Sequence, residues 1–110
     1  MATTYKVLGQ TVLTTAATDI TLYTVPAATS AVCSTIVVCN QAASAATFRI
    51  AVRPAGASIL AKHYLSYDTN INARDSITIT IGITLATTDV VTVNASTVTV
   101  SFNLFGSEIT

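Results

Sequence analysis

Thr47-Phe48-Arg49-Ile50-Ala51-Val52-Arg53 is the stretch that decides the fold. Along an extended chain Phe48, Ile50 and Val52 point one way, and Arg49 and Arg53 point the other. A period of two held across the whole stretch is the pattern of a half-buried strand. Pro54-Ala55-Gly56-Ala57-Ser58 follows at once and reads as a turn.

The same period recurs in both directions from this stretch. Ser76 to Ile81 sets Ile77, Ile79 and Ile81 inward and Thr78 and Thr80 outward, and Thr97 to Phe105 sets Val98, Val100, Phe102 and Leu104 on one face. Asp19 to Val25 carries Ile20 and Leu22 on one face and is closed by Pro26. Ala31 to Asn40 is apolar on both faces, which predicts a strand covered on both sides or lying at an interface. Lys62 to Asp68 and Val90 to Asn94 add two more strands, and Tyr5 to Leu13 adds a weaker one interrupted by Gly9. Ala42 to Ala46 is too short for a helix of consequence, and no segment sustains a 3.6-residue period. The chain therefore reads as one domain over 1–110. The fold is an all-β, antiparallel β-sandwich of about eight strands, jelly-roll-like, with an immunoglobulin-like sandwich as the alternative. Strand count does not fix strand order. Residues 1–18 read as an N-terminal arm or edge strand that reaches a neighbour.

Composition narrows the function. Only 9% of the 110 residues are charged, against roughly 25% in a typical domain, and the net charge is zero. Hydroxyls replace the missing charge, with Thr at about one residue in five. Lys6, Arg49, Arg53, Lys62 and Arg74 are dispersed, so a basic footprint for nucleic acid is absent, and no polybasic segment suits a membrane surface. No apolar run approaches the roughly 18 residues of a membrane span, and Met1-Ala2-Thr3-Thr4-Tyr5-Lys6 does not read as a secretion signal. Synthesis and folding in a cytoplasm are the expectation. With so little charge to keep copies apart, much of the surface is expected to be covered in an assembly.

No catalytic, cofactor-binding or metal-binding set can be picked out, and the chain is read as a non-enzyme with no cofactor. Cys33 and Cys39, six apart on one strand, would be about 20 Å apart, too far for a disulfide, and would share a face as small buried hydrophobes. His63 is the single histidine and reads as an ordinary strand residue. With the two cysteines it would make an incomplete zinc site lacking ligand-pair spacing. Asp68, Asn70 and Asn72 match the first, third and fifth positions of a calcium loop. Ala73 stands where that loop wants Gly and Ile79 where it wants Glu, so a polar loop between strands is the reading. Asn94-Ala95-Ser96 fits a glycosylation acceptor but reads more simply as the hairpin turn between the last two strands. Tyr5, Tyr23, Tyr64 and Tyr67 are the candidates for a sugar-stacking platform, with half-buried strand tyrosines as the plainer account.

An ordered series of segments carries a family likeness: Leu22-Tyr23-Thr24-Val25-Pro26-Ala27, Ser34-Thr35-Ile36-Val37-Val38-Cys39-Asn40, Thr47-Phe48-Arg49-Ile50-Ala51-Val52, Lys62-His63-Tyr64-Leu65-Ser66-Tyr67-Asp68, Gly82-Ile83-Thr84-Leu85-Ala86-Thr87-Thr88-Asp89 and Ser101-Phe102-Asn103-Leu104-Phe105-Gly106-Ser107-Glu108-Ile109. From about Thr21 onward the chain resembles small virion structural proteins of tailed bacteriophages, particularly those of cyanobacterial hosts. The resemblance implies a β-sandwich subunit on the capsid surface. It would be a capsid decoration (cement) protein that binds between capsomers, with a homotrimer favoured and the major capsid protein or other virion proteins as partners. A tail, neck or baseplate component is the alternative within that group, and a carbohydrate-binding adhesin module is the alternative outside it.

Overall fold

Thr, Val and Ile, stiff at χ1 and suited to a pleated surface, fill the strands of the computed structural model, which describes residues 2–110. The elements are β1 (Thr3–Val12), β2 (Ile20–Thr24), β3 (Ser30–Asn40), β4 (Ala46–Arg53), β5 (Tyr64–Ile71), β6 (Ser76–Leu85), β7 (Val90–Ala95) and β8 (Val100–Ile109), with short 3-10 turns at Pro54–Gly56 and Ala61–His63. Two four-stranded antiparallel sheets face each other, in the orders β1-β8-β3-β6 and β2-β7-β4-β5. Successive strands pass from one sheet to the other, except for β4 and β5, which pair within one sheet. That is the connectivity of a jelly roll. The immunoglobulin-like alternative, which keeps runs of successive strands in one sheet, does not describe it.

The core lies between the sheets. Phe48 of β4 and Phe102 of β8 meet edge to face with centroids 6.3 Å apart. Ile36, Val38, Ile50, Val91, Val93 and Leu104 are buried around them. At one end Asn40, fully buried, ties the corners together. Its amide donates to the carbonyls of Ser44 (2.8 Å) and Asn72 (3.2 Å), and its Oδ1 accepts from the Ala42 N–H (3.1 Å) and the Thr99 hydroxyl (3.2 Å). At the other end Tyr23 of β2 donates to Glu108 of β8 at 2.6 Å, and Lys6 of β1 reaches the same carboxylate at 3.2 Å, bridging the two sheets.

Several sequence expectations change. The last two strands do not form a hairpin: β7 and β8 belong to opposite sheets, and residues 96–99 cross between them. Val98 lies in that crossing and is exposed, so the inward face of the last strand begins at Val100. The loop expected from Asp68 is strand as far as Ile71, and the turn proper is residues 72–75. His63 sits in a 3-10 turn before β5, where its Nδ1 accepts from the Leu60 N–H at 3.0 Å. Cys33 and Cys39 do not share a face. Against β8, β3 holds an extra residue between Cys33 and Thr35, and a bulge of one residue reverses which side each later residue faces. Cys33 is accordingly buried while Cys39 is half-buried on the outer side. In the 1–18 segment, β1 is an edge strand lying along β8 of its own chain.

Candidate interaction surface

The outward rows of the β1-β8-β3-β6 sheet follow from the register. Across the strands they read Tyr5–Ser107–Val32–Thr84, Val7–Phe105–Thr35–Thr80, Gln10–Asn103–Val37–Thr78 and Val12–Ser101–Cys39–Ser76. No position in these rows is charged. The apolar members are spread among hydroxyls, and Gln10 Nε2 donates to Asn103 Oδ1 at 2.6 Å across β1 and β8. Tyr5 stands 84% exposed at one corner, with Val7 and Val12 also exposed along β1. The only charged side chains on these four strands are Lys6 and Glu108, and they are paired with each other on the inward side. Tyr23 is the first cause, and Lys6 the second, of a Glu108 carboxyl held below its usual range.

The opposite sheet has the reverse character. A bulge in β5, with Asp68 at φ 50°, re-aims Tyr67 and Asp68 onto Arg49 of β4. Arg49 Nε donates to Asp68 Oδ1 at 2.7 Å and Nη2 donates to Oδ2 at 3.3 Å, while its guanidinium stacks 4.1 Å from the Tyr67 ring centre. This hydrogen bonding holds the Asp68 carboxyl below its ordinary value. Tyr64 meets Tyr67 edge-on at 4.8 Å, beside a shelf of Ile59, Leu60 and Ala61. Arg53 donates to Thr92 and to the carbonyls of Gly56 and Ala57, which pins the β4–β5 connection over this sheet.

The residues singled out in sequence do not converge. Cys33 faces the core, Cys39 the outer side of one sheet, and His63 a turn beside the other sheet. Among the described residues no group of three or more His, Cys, Asp or Glu side chains could hold a metal ion. Asp68 of the calcium-loop pattern is engaged by Arg49, and Asn70 donates to Asn72 at 3.1 Å. Asn94 of the acceptor pattern is buried on β7, with its amide donating to Asp19 at 2.7 Å, so the glycosylation reading and the hairpin reading both give way. Of the tyrosines, Tyr23 is buried, while Tyr5 and Tyr67 are exposed on opposite sheets. Sequence reading missed the uncharged face itself. Its signal was available: the long gaps between charged residues, from Asp19 to Arg49, Asp75 to Asp89 and Asp89 to Glu108, contain β3, β6 and most of β8.

No protein-family model matches the chain, and no curated protein is similar to it in sequence. Among solved structures it is similar to a chain in "Structure of infectious bursal disease virus Gx strain", at 10% identity and a TM-score of 0.47. That match covers 97% of this chain and 30% of the other.

Proposed function

We propose that this protein is a structural subunit of a bacteriophage particle, a decoration protein that lays its β1-β8-β3-β6 face against the shell and ties neighbouring capsomers together. The observation that carries this reading is the absence of charge from an entire outer sheet face, in a chain whose few charges lie on the other sheet, on the loops or, for the Lys6–Glu108 pair, on the inward side of this sheet. A solvated sheet face normally alternates apolar-in with charged or polar-out, and charge is depleted where a surface is buried against a partner. Four strands at about 4.8 Å spacing and about 3.3 Å rise per residue give the face roughly 600 Å². Covered from the other side, it would bury roughly 1,200 Å² in total, the lower end of a stable interface. Thr, Ser and Val lose little rotamer freedom on contact, so a face rich in them suits a repeated, symmetric lattice. A subunit that binds only the assembled shell stabilises that shell by mass action.

Cys39 offers a direct test because it lies within the face. In the isolated chain its thiol is expected to be alkylated readily; on the particle it should be protected. Val37→Lys, at the centre of the face, should abolish particle binding while leaving the fold intact. Quantitative mass spectrometry of purified virions should find copies on the order of hundreds, as a shell lattice requires. A handful of copies per particle would assign the protein to tail or neck, and unchanged Cys39 labelling on particles would remove this face from the contact. The Tyr64–Tyr67–Arg49–Asp68 cluster favours a second reading, a glycan-binding adhesin. Binding on a glycan array that Tyr67→Ala abolishes would support it.

A further inference from the structure

The free edge of β6 is unlike the other sheet edges. An edge strand presents unpaired N–H and C=O groups to any passing strand, and proteins blunt such edges with charge, proline, bulges or shortness. β1 carries Lys6 and a bulge at Leu8. β2 is a five-residue strand with a register shift, flanked by Asp19 and Pro26. β5 is bulged and holds the Asp68–Arg49 pair. By contrast β6, Ser76-Ile77-Thr78-Ile79-Thr80-Ile81-Gly82-Ile83-Thr84-Leu85, runs ten residues with no charge and no proline; its one irregularity is a register shift against β3 between Thr80 and Ile83, and among the described residues its strand neighbour is β3 alone. The core margin beneath it is also open. Ile77, Ile79 and Ile83 point inward yet are only partly buried, and Ile81 on the same side remains 39% exposed.

We infer that β6 pairs edge to edge with β6 of a second copy, antiparallel about a two-fold axis, joining two four-stranded sheets into one continuous sheet. The chemistry of a bare strand edge selects a strand as its occupant. The sequence of β6 selects itself. A two-fold perpendicular to the sheet keeps inward residues opposite inward residues. Centred on Thr80, the pairing sets Ile79 against Ile81, Ile77 against Ile83 and Ser76 against Thr84. Identical β-branched pairs of this kind are favourable across strands, and with no charge on β6 the symmetry brings no like charges together. The added strand covers the open isoleucines. A two-fold contact closes at two copies, so a trimer would need a different surface. The pairing is a property of the isolated chain and needs no particle, so it stands or falls separately from shell docking.

Sedimentation equilibrium of the purified chain is expected to give twice the 11.4 kDa monomer mass. Thr80→Lys, an exposed outward position that places two cations opposite each other, should halve that mass while leaving the circular dichroism spectrum and melting temperature of a folded chain. Thr80→Asp should do the same, and an equal mixture of the two variants should restore the dimer through opposite charges. Val37→Lys, on the outer face, should leave the dimer intact. A wild-type monomer at every accessible concentration, a trimer, a Thr80→Lys dimer, or a mixture that stays monomeric would each overturn the pairing.

Discussion

Gly106 shows how tightly single positions are set. A Cβ there would lie 2.1 Å from the Val32 carbonyl oxygen and 2.9 Å from the Cys33 Cα, both backbone and unable to swing away. Gly106→Ala is therefore expected to destabilise by about 3 kcal/mol, read as a fall in the urea midpoint. Gly82 has nothing within 4 Å of the same virtual atom, and Gly82→Ala should change that midpoint little. The cysteines make a second test at this scale. Burial pushes the Cys33 thiol up to about 11, so at neutral pH it stays protonated as well as enclosed. A thiol reagent should modify Cys39 alone in the native protein and both residues in denaturant. Counting six residues could not foresee this, because an extra residue in a strand leaves no mark in composition. The Ser34 region contains neither glycine nor proline, and the bulge becomes visible only against the partner strand β8.

At the scale of elements, the strands with unbroken alternation were the legible ones. β4 and β7 lie within a residue of where the pattern puts them, and β6 keeps its inward isoleucines, extending to Leu85. What alternation cannot carry is which sheet a strand joins, since inward and outward look alike in both. Hence the chain between β7 and β8 reads as a hairpin but crosses the sandwich. The crossings depend on polar side chains that look unremarkable in sequence, above all Asn40. Its four hydrogen bonds hold the corners that follow β3, β5 and β7. Asn40→Ala would leave the Ser44 and Asn72 carbonyls and the Ala42 N–H without their side-chain partner. It is expected to cost roughly 2–4 kcal/mol, with the loss visible as faster amide exchange in residues 41–45, 72–75 and 96–99 before any change in the strands. The uncharged face was equally open to sequence reading, through the spacing of charges, but which residues share it required the register of all four strands.

At the scale of the whole molecule, the two sheets are held together mainly by apolar packing, and one charged contact that joins strands of both is the Tyr23–Glu108–Lys6 bridge. Its pH dependence follows from the Glu108 shift. The Tyr23 hydroxyl and then Lys6 hold the carboxyl below its ordinary 4.5 in the folded chain. A carboxyl depressed by folding contributes stability that is fully present above its unfolded value and is lost as pH falls toward its folded value. Stability should therefore be level from neutral pH down to about 5 and decline below about 4.5. Asp68, held low by Arg49 on the far sheet, adds a second decline of the same sign. Glu108→Gln should lower stability at pH 7 and flatten one part of the acid limb, and Asp68→Asn should flatten the other. Because the two carboxyls are on opposite sheets and share no partner, their effects should add in the double variant. Urea midpoints measured from pH 7 to pH 3 for the four proteins decide this. An acid limb that keeps its full slope in Glu108→Gln would mean that the bridge does not hold the sheets together at that end.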